Sequence, residues 1–297
     1  MPRIVRRMGR RPRSPARQAM YQALDTRATL LPRARDGSGC TSSTALVCSA
    51  RASRMEANTL YTEPAYYRML FRERTHDRAF YERVTRAGQT VLELGVGEGR
   101  MALALAEADR RVLGVDLSED MLAALERRKK EHSPTVAARV TAMRGDARTL
   151  RLRRSFDRVI QPFNGLAHFH DPDSLAELLA TVRAHLSPGG VFAFDVMLPD
   201  PRLLAGGASS VPRVEHPRTG RVCRVEERYD YDALRQVLTV TTTLVDRESG
   251  DAQTLTLLLR QLFPQETLLL LEHHGFEVVE RTEELGDSLG YVCRRRN

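Results

Sequence analysis

The residues best suited to chemistry lie in one short segment, Val91–Arg100, with the sequence VLELGVGEGR. An apolar run of strand type leads into three alternating glycines, Gly95, Gly97 and Gly99, and a helical pattern follows. A strand that enters a glycine turn and then a helix leaves free backbone N–H groups where the anionic end of a ligand can bind. Glycine suits such a turn because a Cβ would hinder both a positive φ and the close approach of the ligand.

The next predicted strand has an acidic residue at its end. Asp116 ends the next predicted strand, 21 residues beyond Gly95. In a doubly wound sheet, an acid at about this separation meets the ribose of a nucleoside-containing ligand. One carboxylate can accept hydrogen bonds from both ribose hydroxyls, so the two segments together predict a pocket for such a ligand.

The spacing of the glycines distinguishes between ligands. The dinucleotide fingerprint G-x-G-x-x-G would need a glycine at position 100, which is Arg100. The spacing is instead E-x-G-x-G-x-G, with Glu93 two residues before the first glycine, and in this the chain resembles class I S-adenosylmethionine-dependent methyltransferases. S-adenosylmethionine has no phosphate, so the turn need only make room for the methionine carboxylate and ammonium. An acid such as Glu93 suits the cationic end.

The resemblance implies a set of cofactor-binding residues. Asp146 at the tip of the third strand would accept the adenine amino group, or alternatively cap a turn. Leu117 and Met121 would contact the faces of the adenine, or alternatively belong to the core. The expected cofactor-binding residues are Glu93, Gly95, Gly97, Gly99, Arg100, Asp116, Leu117, Met121, Gly145, Asp146, Ala147 and Gln161.

The end of the fourth predicted strand should face the transferred methyl group, because ligands of open α/β sheets lie beyond the carboxyl ends of the strands. Residues 161–164, Gln-Pro-Phe-Asn, only partly resemble the Asn/Asp-Pro-Pro-aromatic motif of nucleobase amino methyltransferases. The resemblance is closer to small-molecule N- and O-methyltransferases. Asn164 and His168 are therefore candidate catalytic residues. His168 could be a base, or it could simply close a helix start.

Methyl transfer is an in-line displacement at a sulfonium carbon, so positioning and desolvation can supply most of the acceleration. A base is needed only where the nucleophile arrives protonated. The third catalytic candidate is Tyr67, from the N-terminal helices that cover the cofactor in similar enzymes. Its ring could contact the sulfonium by a cation–π interaction or pack between helix and sheet. Further candidates are Tyr61, Tyr66, Arg72, His170, Asp195, Glu226, Tyr229 and Arg260.

The elements that position these residues alternate between strand and helix. Strands are predicted at 90–94, 111–115, 139–143, 157–161 and 191–196, and helices at 65–71, 77–87, 100–108, 119–131 and 175–186. This alternation indicates a doubly wound α/β sheet. Antiparallel hairpins at 221–231, 236–245 and 252–262 follow strand five, then a helix at 264–274 and strands at 276–280 and 291–293. The resemblance implies a mostly parallel seven-stranded sheet with an antiparallel last strand, and a substrate lid at residues 205–262.

Charge divides the chain at about residue 54. Residues 1–54 contain 12 Arg and 2 Asp, a net charge of +10, which leaves −2 of the overall +8 for residues 55–297. We expect an Arg-rich, disordered leader before a methyltransferase domain at 55–297. The leader could be an arm that binds nucleic acid, a targeting peptide, or translated sequence upstream of the true start, and we favour the last.

The expected function is methylation of a nitrogen or oxygen of a small metabolite. We expect a cytoplasmic enzyme that involves neither a membrane nor a metal, with a homodimer as one option for its assembly. The four cysteines form no C-x-x-C pair and are expected to be reduced. Three alternatives stay open: an RNA or DNA methyltransferase that uses the basic leader, a non-catalytic S-adenosylmethionine-binding protein, and an NAD-dependent oxidoreductase. The net charge of residues 55–297 disfavours the first, and Arg100 disfavours the last.

Overall fold

A computed structural model describes residues 58–72, 74–86 and 88–296. The predicted leader, 1–54, lies outside the described residues. The described strands form one sheet of seven strands and a second sheet of four. In chain order, the strands are β1 (Thr90–Leu94), β2 (Arg111–Asp116), β3 (Val140–Arg144), β4 (Phe156–Gln161), β5 (Leu186–Met197), β6 (Gly207–Glu215), β7 (Val222–Asp232), β8 (Val237–Asp246), β9 (Ala252–Arg260), β10 (Phe276–Leu285) and β11 (Ser288–Arg295).

The helices flank these strands. They are α1 (Pro64–Phe71), α2 (Arg78–Val84), α3 (Arg100–Glu107), α4 (Glu119–Lys129), α5 (Pro134–Ala138), α6 (Pro172–His185), α7 (Pro201–Leu204) and α8 (Pro264–His273). Short 3₁₀ helices occur at Thr59–Thr62 and Gly165–His168. No helix of the described part of the chain is long and apolar enough to cross a lipid bilayer.

The large sheet has the order β10-β11-β5-β4-β1-β2-β3. Strands β1 to β5 are parallel, and β11 is antiparallel to both β5 and β10. This confirms the predicted mostly parallel seven-stranded sheet and its antiparallel last strand. The chain reverses its direction of travel across the sheet between β1 and β4, and ligands of such sheets bind beyond the carboxyl ends of the strands at that switch point.

Apolar side chains cover both faces of the large sheet. Helices α6 and α8 place Leu178 and Leu271 in one buried cluster with Phe192. Helices α2 and α3 place Tyr81 and Met101 in a second cluster on the opposite face. Burial on both faces explains why β1 reads as a nearly continuous apolar run rather than an alternating one.

The small sheet has the antiparallel order β6-β7-β8-β9 and confirms the predicted hairpin insertion after strand five. Its edge strand β9 is tied to the region beside the large sheet. Asn58 Oδ1 accepts a hydrogen bond from Leu258 N at 2.7 Å, and Thr59 Oγ1 accepts one from Thr256 N at 2.9 Å. The Leu258 carbonyl oxygen lies 3.1 Å from His170 Nε2. Three backbone groups in the middle of this edge strand are therefore bonded rather than free.

Several boundaries differ from the predictions. Strand β5 begins at Leu186 rather than residue 191, and the sequence Pro188-Gly189-Gly190, predicted to stop a helix, lies within the strand. Strand β6 was missed because its alternation is weak, with two consecutive serines at Ser209 and Ser210. Helix α5, too short for a periodic signal, was also missed.

The glycine before α3 gives a stability prediction. Gly99 has a φ of +79°, and a Cβ there would lie 2.1 Å from Leu125 Cδ1 on α4. Gly189 has a similar φ of +74°, but a Cβ on Gly189 would have no atom within 4 Å. We expect Gly189→Ala to lower the free energy of unfolding by about 1 kcal/mol through backbone strain alone. We expect Gly99→Ala to lower it by about 2–3 kcal/mol, because the clash adds to the strain.

Urea unfolding followed by circular dichroism would measure both variants. Equal losses in the two variants would contradict the packing of α3 against α4 described here.

Candidate active site

The glycine turn after β1 leaves open space at the switch point. Gly95 and Gly97 have φ values of +74° and +53°. A Cβ at Gly95 would meet no atom within 4 Å, and one at Gly97 would meet only Met121 Cε, at 3.5 Å. The backbone N–H groups of Gly95 and Val96 donate to the Val115 carbonyl oxygen at 2.8 and 3.1 Å, which fixes the turn against β2.

The Asp116 carboxylate shapes the same turn. Its Oδ2 accepts a hydrogen bond from Gly97 N at 2.8 Å, and its Oδ1 accepts one from Ser118 N at 2.9 Å. Burial raises the pKa of Asp116 against the opposing effect of these backbone donors. A carboxylate has about four acceptor positions, so two bonds to the backbone leave room for ribose hydroxyls. The ribose contact remains a prediction.

The Glu93 carboxylate is an unsatisfied acceptor beside this turn. Its side chain is buried, with 2% exposure, and its Oε2 has no hydrogen-bond partner. Burial raises the pKa of Glu93 to about 8, with Asp77 and Asp116 adding to the shift and Arg100 opposing it. A buried acceptor without a donor is costly to the free protein, which indicates that a ligand donates to it.

Two arginines and two aspartates form a buried network next to Glu93. Arg100 donates to Asp77 at 2.8 and 2.5 Å, and Arg74 donates to Asp77 at 3.1 Å and to Asp195 at 2.8 Å. Burial alone would raise the pKa of Asp77, but the hydrogen bonds and charge of Arg100 hold that pKa below its usual range. Arg100 is thus bound to protein, and its predicted contact with the cofactor remains untested.

The loop after β4 has an uncommon backbone. Phe163 and Asn164 have φ values of +60° and +57°, in the left-handed region that favours glycine. Asp195 holds this loop, since its carboxylate accepts from Phe163 N at 2.7 Å, from Asn164 N at 3.2 Å and from the Tyr81 hydroxyl at 2.6 Å. With Arg74, the Asp195 carboxylate has four donors. The structure therefore favours an anchoring role for Asp195 over its earlier expected role as a base.

The predicted catalytic residue Asn164 is buried, and its Oδ1 accepts from Met197 N at 3.1 Å. This bond ties the loop after β4 to the end of β5, which is a positioning role. The neighbouring side chain of Gln161 is also buried, and its Oε1 has no partner. Gln161 Oε1 is a second unsatisfied acceptor near the switch point.

His168 lies at the end of the 3₁₀ helix that follows. Its Nε2 is 2.8 Å from the Tyr61 hydroxyl, and its Nδ1 is buried without a partner. Burial, with a smaller contribution from His170, lowers the pKa of His168 to about 4. The imidazole is therefore neutral at pH 7, with one ring nitrogen free for a ligand.

Aromatic rings connect the N-terminal segment to this loop. The ring centroids of Tyr61 and Tyr67 are 5.8 Å apart, and Tyr67 and Phe71 lie 6.1 and 4.8 Å from Phe163. Burial raises the pKa of Tyr67 well above its ordinary value, so its hydroxyl stays protonated. By contrast, Tyr66 donates to Gln253 Oε1 at 2.7 Å, in the small sheet, and is a packing residue.

The predicted adenine-binding residues lie at the ends of β2 and β3. Asp146 forms a two-point ion pair with Arg148, at 3.0 and 2.5 Å, which lowers the pKa of Asp146 despite partial burial. Leu117 is exposed at 38%, whereas Met121 is buried against the glycine turn. Gly145 and Ala147 flank Asp146. Their contacts with adenine remain predictions.

Other expected residues lie away from this cluster. Glu226 is on the exposed side of β7, where it pairs with Arg224 at 2.6 Å. Arg260 is partly buried and pairs with Glu266 at 2.8 Å. Sequence reasoning missed Arg74 and Asp77, whose only signal is a run of charge between two apolar helical patterns.

The residues present fit a cofactor with a cationic amino-acid end. The open space at Gly95 and Gly97 lies beside Glu93, and the unsatisfied oxygens of Glu93 and Gln161 are acceptors that need donors. An ammonium group supplies both the charge and the N–H donors that such a site lacks.

Comparison with known proteins agrees with this geometry. The family model described as a methyltransferase domain matches residues 91–190, which run from β1 into β5. Residues 91–190 are thus a methyltransferase domain, as the resemblance to class I S-adenosylmethionine-dependent methyltransferases implied. The predicted family and cofactor are confirmed.

Two curated relatives and one solved structure that are similar to this chain are methyltransferases. The cypemycin N-terminal methyltransferase of a Streptomyces species is 36% identical over 120 residues, 40% of this chain and 46% of that protein. The dTDP-3-amino-3,6-dideoxy-alpha-D-glucopyranose N,N-dimethyltransferase of Streptomyces fradiae is 29% identical over 53% of this chain and 63% of its own length. The CcbJ methyltransferase structure from Streptomyces caelestis is 28% identical, with a TM-score of 0.64 over 75% of this chain and 89% of that one.

The matches thus span less than two thirds of either curated relative.

The open space at Gly97 gives a binding prediction. Because a Cβ there meets only Met121 Cε at an ordinary distance, Gly97→Ala should fold but fill part of the space for the cofactor. We expect its affinity for S-adenosylhomocysteine to fall at least about tenfold in calorimetric titration. Gly189→Ala, with similar backbone strain near the start of β5, should bind as the unmodified protein does. Unchanged affinity in Gly97→Ala would contradict the position of the cofactor.

The pKa of Glu93 gives a prediction about pH. A cation favours the ionised carboxylate, so binding should lower the pKa of Glu93 from about 8 and release a proton at pH 7. Affinity for S-adenosylmethionine should therefore rise as the pH increases from 6 to 8. Glu93→Gln should bind more weakly and release no proton.

Calorimetry at pH 7 in two buffers of different ionisation enthalpy would count the protons. Glu98→Gln is the matched control, because Glu98 lies in the same turn but already pairs with Arg68 at 2.8 Å. A heat of binding independent of buffer in the unmodified protein would refute the role given to Glu93.

Proposed function

We propose that this protein transfers the methyl group of S-adenosylmethionine to a nitrogen or oxygen of a small metabolite. The observation that carries the proposal is the unsatisfied, buried Glu93 carboxylate beside the open glycine turn. It lies at the switch point of the sheet and lacks the cationic donor that the methionine ammonium would supply. When bound, S-adenosylmethionine supplies an electrophilic methyl group on a sulfonium.

Glu93, Asp116 and the glycine turn would hold the cofactor. Asp116 would accept from the ribose in addition to Gly97 N, while Leu117 and Met121 would contact the adenine. The two-point bond from Arg148 leaves Asp146 fewer free acceptor positions for the adenine amino group.

The loop after β4 would position the methyl acceptor. His168 is neutral at pH 7, and its unbonded Nδ1 can accept a proton or a hydrogen bond from the acceptor, while Tyr61 fixes the ring through Nε2. The rings of Tyr67 and Phe163 would exclude water from the reacting atoms. Because a base with a pKa of about 4 is weak, orientation of the acceptor is the larger contribution expected from His168.

Relatives named for an N-terminus and for an amino sugar support a nitrogen acceptor, and a 33% identical ubiquinone biosynthesis O-methyltransferase of Methylococcus capsulatus supports an oxygen acceptor. A nucleic-acid acceptor is disfavoured by the net charge of −2 on residues 55–297. A cytoplasmic location and a homodimer remain predictions.

The first test is calorimetric titration of the full chain with S-adenosylhomocysteine and, separately, with NAD. Binding of the first and not the second supports the proposal. Incubation with S-adenosylmethionine and a panel of small amines and hydroxylated compounds should then release S-adenosylhomocysteine. Binding without turnover of any acceptor would favour a non-catalytic binding protein, and binding of NAD alone would overturn the cofactor.

His168 gives a prediction about rate. With an acceptor from that panel, we expect His168→Asn to lower kcat by about tenfold to a hundredfold and leave the Kd of S-adenosylhomocysteine unchanged. His170→Asn is the control, because His170 Nε2 lies against the Leu258 carbonyl of the small sheet. An unchanged kcat in His168→Asn would remove His168 from the reaction.

A further inference from the structure

One face of the small sheet carries a polar group that the proposed chemistry does not use. Along β7, Val225, Tyr229 and Tyr231 lie on the same face as Glu227, because side chains alternate along a strand. Val225 belongs to one apolar cluster, whereas Tyr229 and Tyr231 belong to another. Glu227 therefore lies between two apolar clusters on a packed face.

Three hydroxyl groups surround the Glu227 carboxylate. The Tyr229 hydroxyl donates to Glu227 Oε2 at 2.5 Å. Ser209 Oγ lies 3.5 Å from the same oxygen, and Thr242 Oγ1 lies 3.5 Å from Oε1. Ser209, Tyr229 and Thr242 are 9%, 6% and 6% exposed, whereas Glu227 itself is partly exposed. We call these four side chains the Glu227 quartet.

The elements that enclose the Glu227 quartet come from the cofactor end of the large sheet. Helix α1 contributes Tyr67 and Phe71 to the cluster on one side, and both rings also contact Phe163 after β4. Helix α7 contributes Leu203 to the cluster on the other side, and α7 follows directly after β5. The quartet thus lies on the face of the small sheet that is turned towards these elements.

The Glu227 carboxylate has no charged partner in the part of the chain that the structure describes. Within the described residues, no Lys, Arg or His lies within 4 Å of its carboxylate oxygens, and the three hydroxyls that surround it are neutral. The adjacent Glu226 shows the usual arrangement, exposed and paired with Arg224. A partly buried carboxylate that has hydroxyl neighbours but lacks a cation is unfavourable for folding, and an apolar residue would pack better there.

We propose that the Glu227 quartet binds a positively charged amine group of the methyl acceptor. Glu227 would supply the opposite charge, and the hydroxyls of Ser209 and Thr242 would hydrogen-bond to polar groups beside that amine. The quartet would bind the charged group by which the acceptor is recognised. The atom that receives the methyl group would lie beside the loop after β4. This inference rests on the proposed function and assigns the acceptor to the class of hydroxylated cationic amines.

The test is ligand binding by the full chain with saturating S-adenosylhomocysteine. The probes are D-glucosamine, which is cationic, and N-acetyl-D-glucosamine, which has the same ring hydroxyls but no charge. A second pair, 2-phenylethylamine and N-acetyl-2-phenylethylamine, presents the same difference in charge without any hydroxyl group. Ligand-observed NMR titrations would give the dissociation constants of all four compounds.

We expect the unmodified protein to bind D-glucosamine at least about tenfold more tightly than its acetylated form. Glu227→Gln should reduce this preference to less than about twofold. Glu226→Gln, which changes the neighbouring carboxylate on the opposite face, should preserve it. Tyr229→Phe should weaken the preference in part, because the hydroxyl that orients Glu227 is lost.

Three results would overturn the inference: no preference for the cationic member of either pair, a preference that persists in Glu227→Gln, or an equal loss in Glu226→Gln. A preference for the cationic member of the 2-phenylethylamine pair alone would retain the charge recognition and refute the role of the hydroxyls. Binding of S-adenosylhomocysteine, measured on the same samples, separates the two proposals. If that binding fails, the proposed function fails, whereas retained binding without a cation preference overturns only this inference.

Discussion

The arrangement of the site depends on the buried carboxylate of Asp195. It accepts from Arg74, from the Tyr81 hydroxyl and from two consecutive backbone N–H groups of the loop after β4. Left-handed backbone at Phe163 and Asn164 costs free energy, and the bonds to Asp195 offset that cost. Through Arg74 and Asp77, the same network reaches Arg100 at the start of α3. One carboxylate thus sets the loop after β4 relative to the segment that precedes β1.

Some buried polar side chains of this protein have hydrogen-bond partners for all their polar atoms, whereas others keep an atom without a partner. Asp77 and Asp195, which are fully buried, are bonded to arginines and lie beneath the site, where they are structural. Glu93, Gln161 and His168 each keep a buried atom without a partner, and all three belong to the ends of β1 and β4 or the loop that follows. Of the five buried side-chain atoms without a partner in the described residues, three therefore lie where a ligand could satisfy them, and the other two belong to His76 and Arg260.

The fold and the cofactor turn were predictable because their signals are local. Glycines at alternate positions after a strand, with acids at the right spacing, define backbone geometry that few other residues allow. The network of Arg74, Asp77 and Asp195 was not predictable, because its members are up to 121 residues apart and meet only in the folded chain. The surroundings of Glu227 were not predictable either, because Ser209, Tyr229 and Thr242 come from three strands of the small sheet.

The hydrogen bonds from Asn58 and Thr59 to β9 do more than join two parts of the molecule. They occupy N–H groups that would otherwise lie open along the outermost strand of the small sheet. An uncovered edge of this kind invites pairing with a strand of another molecule and, in the end, aggregation. The segment before α1 thus also hinders self-association. If it detached, the edge of the small sheet could pair with strands of other molecules.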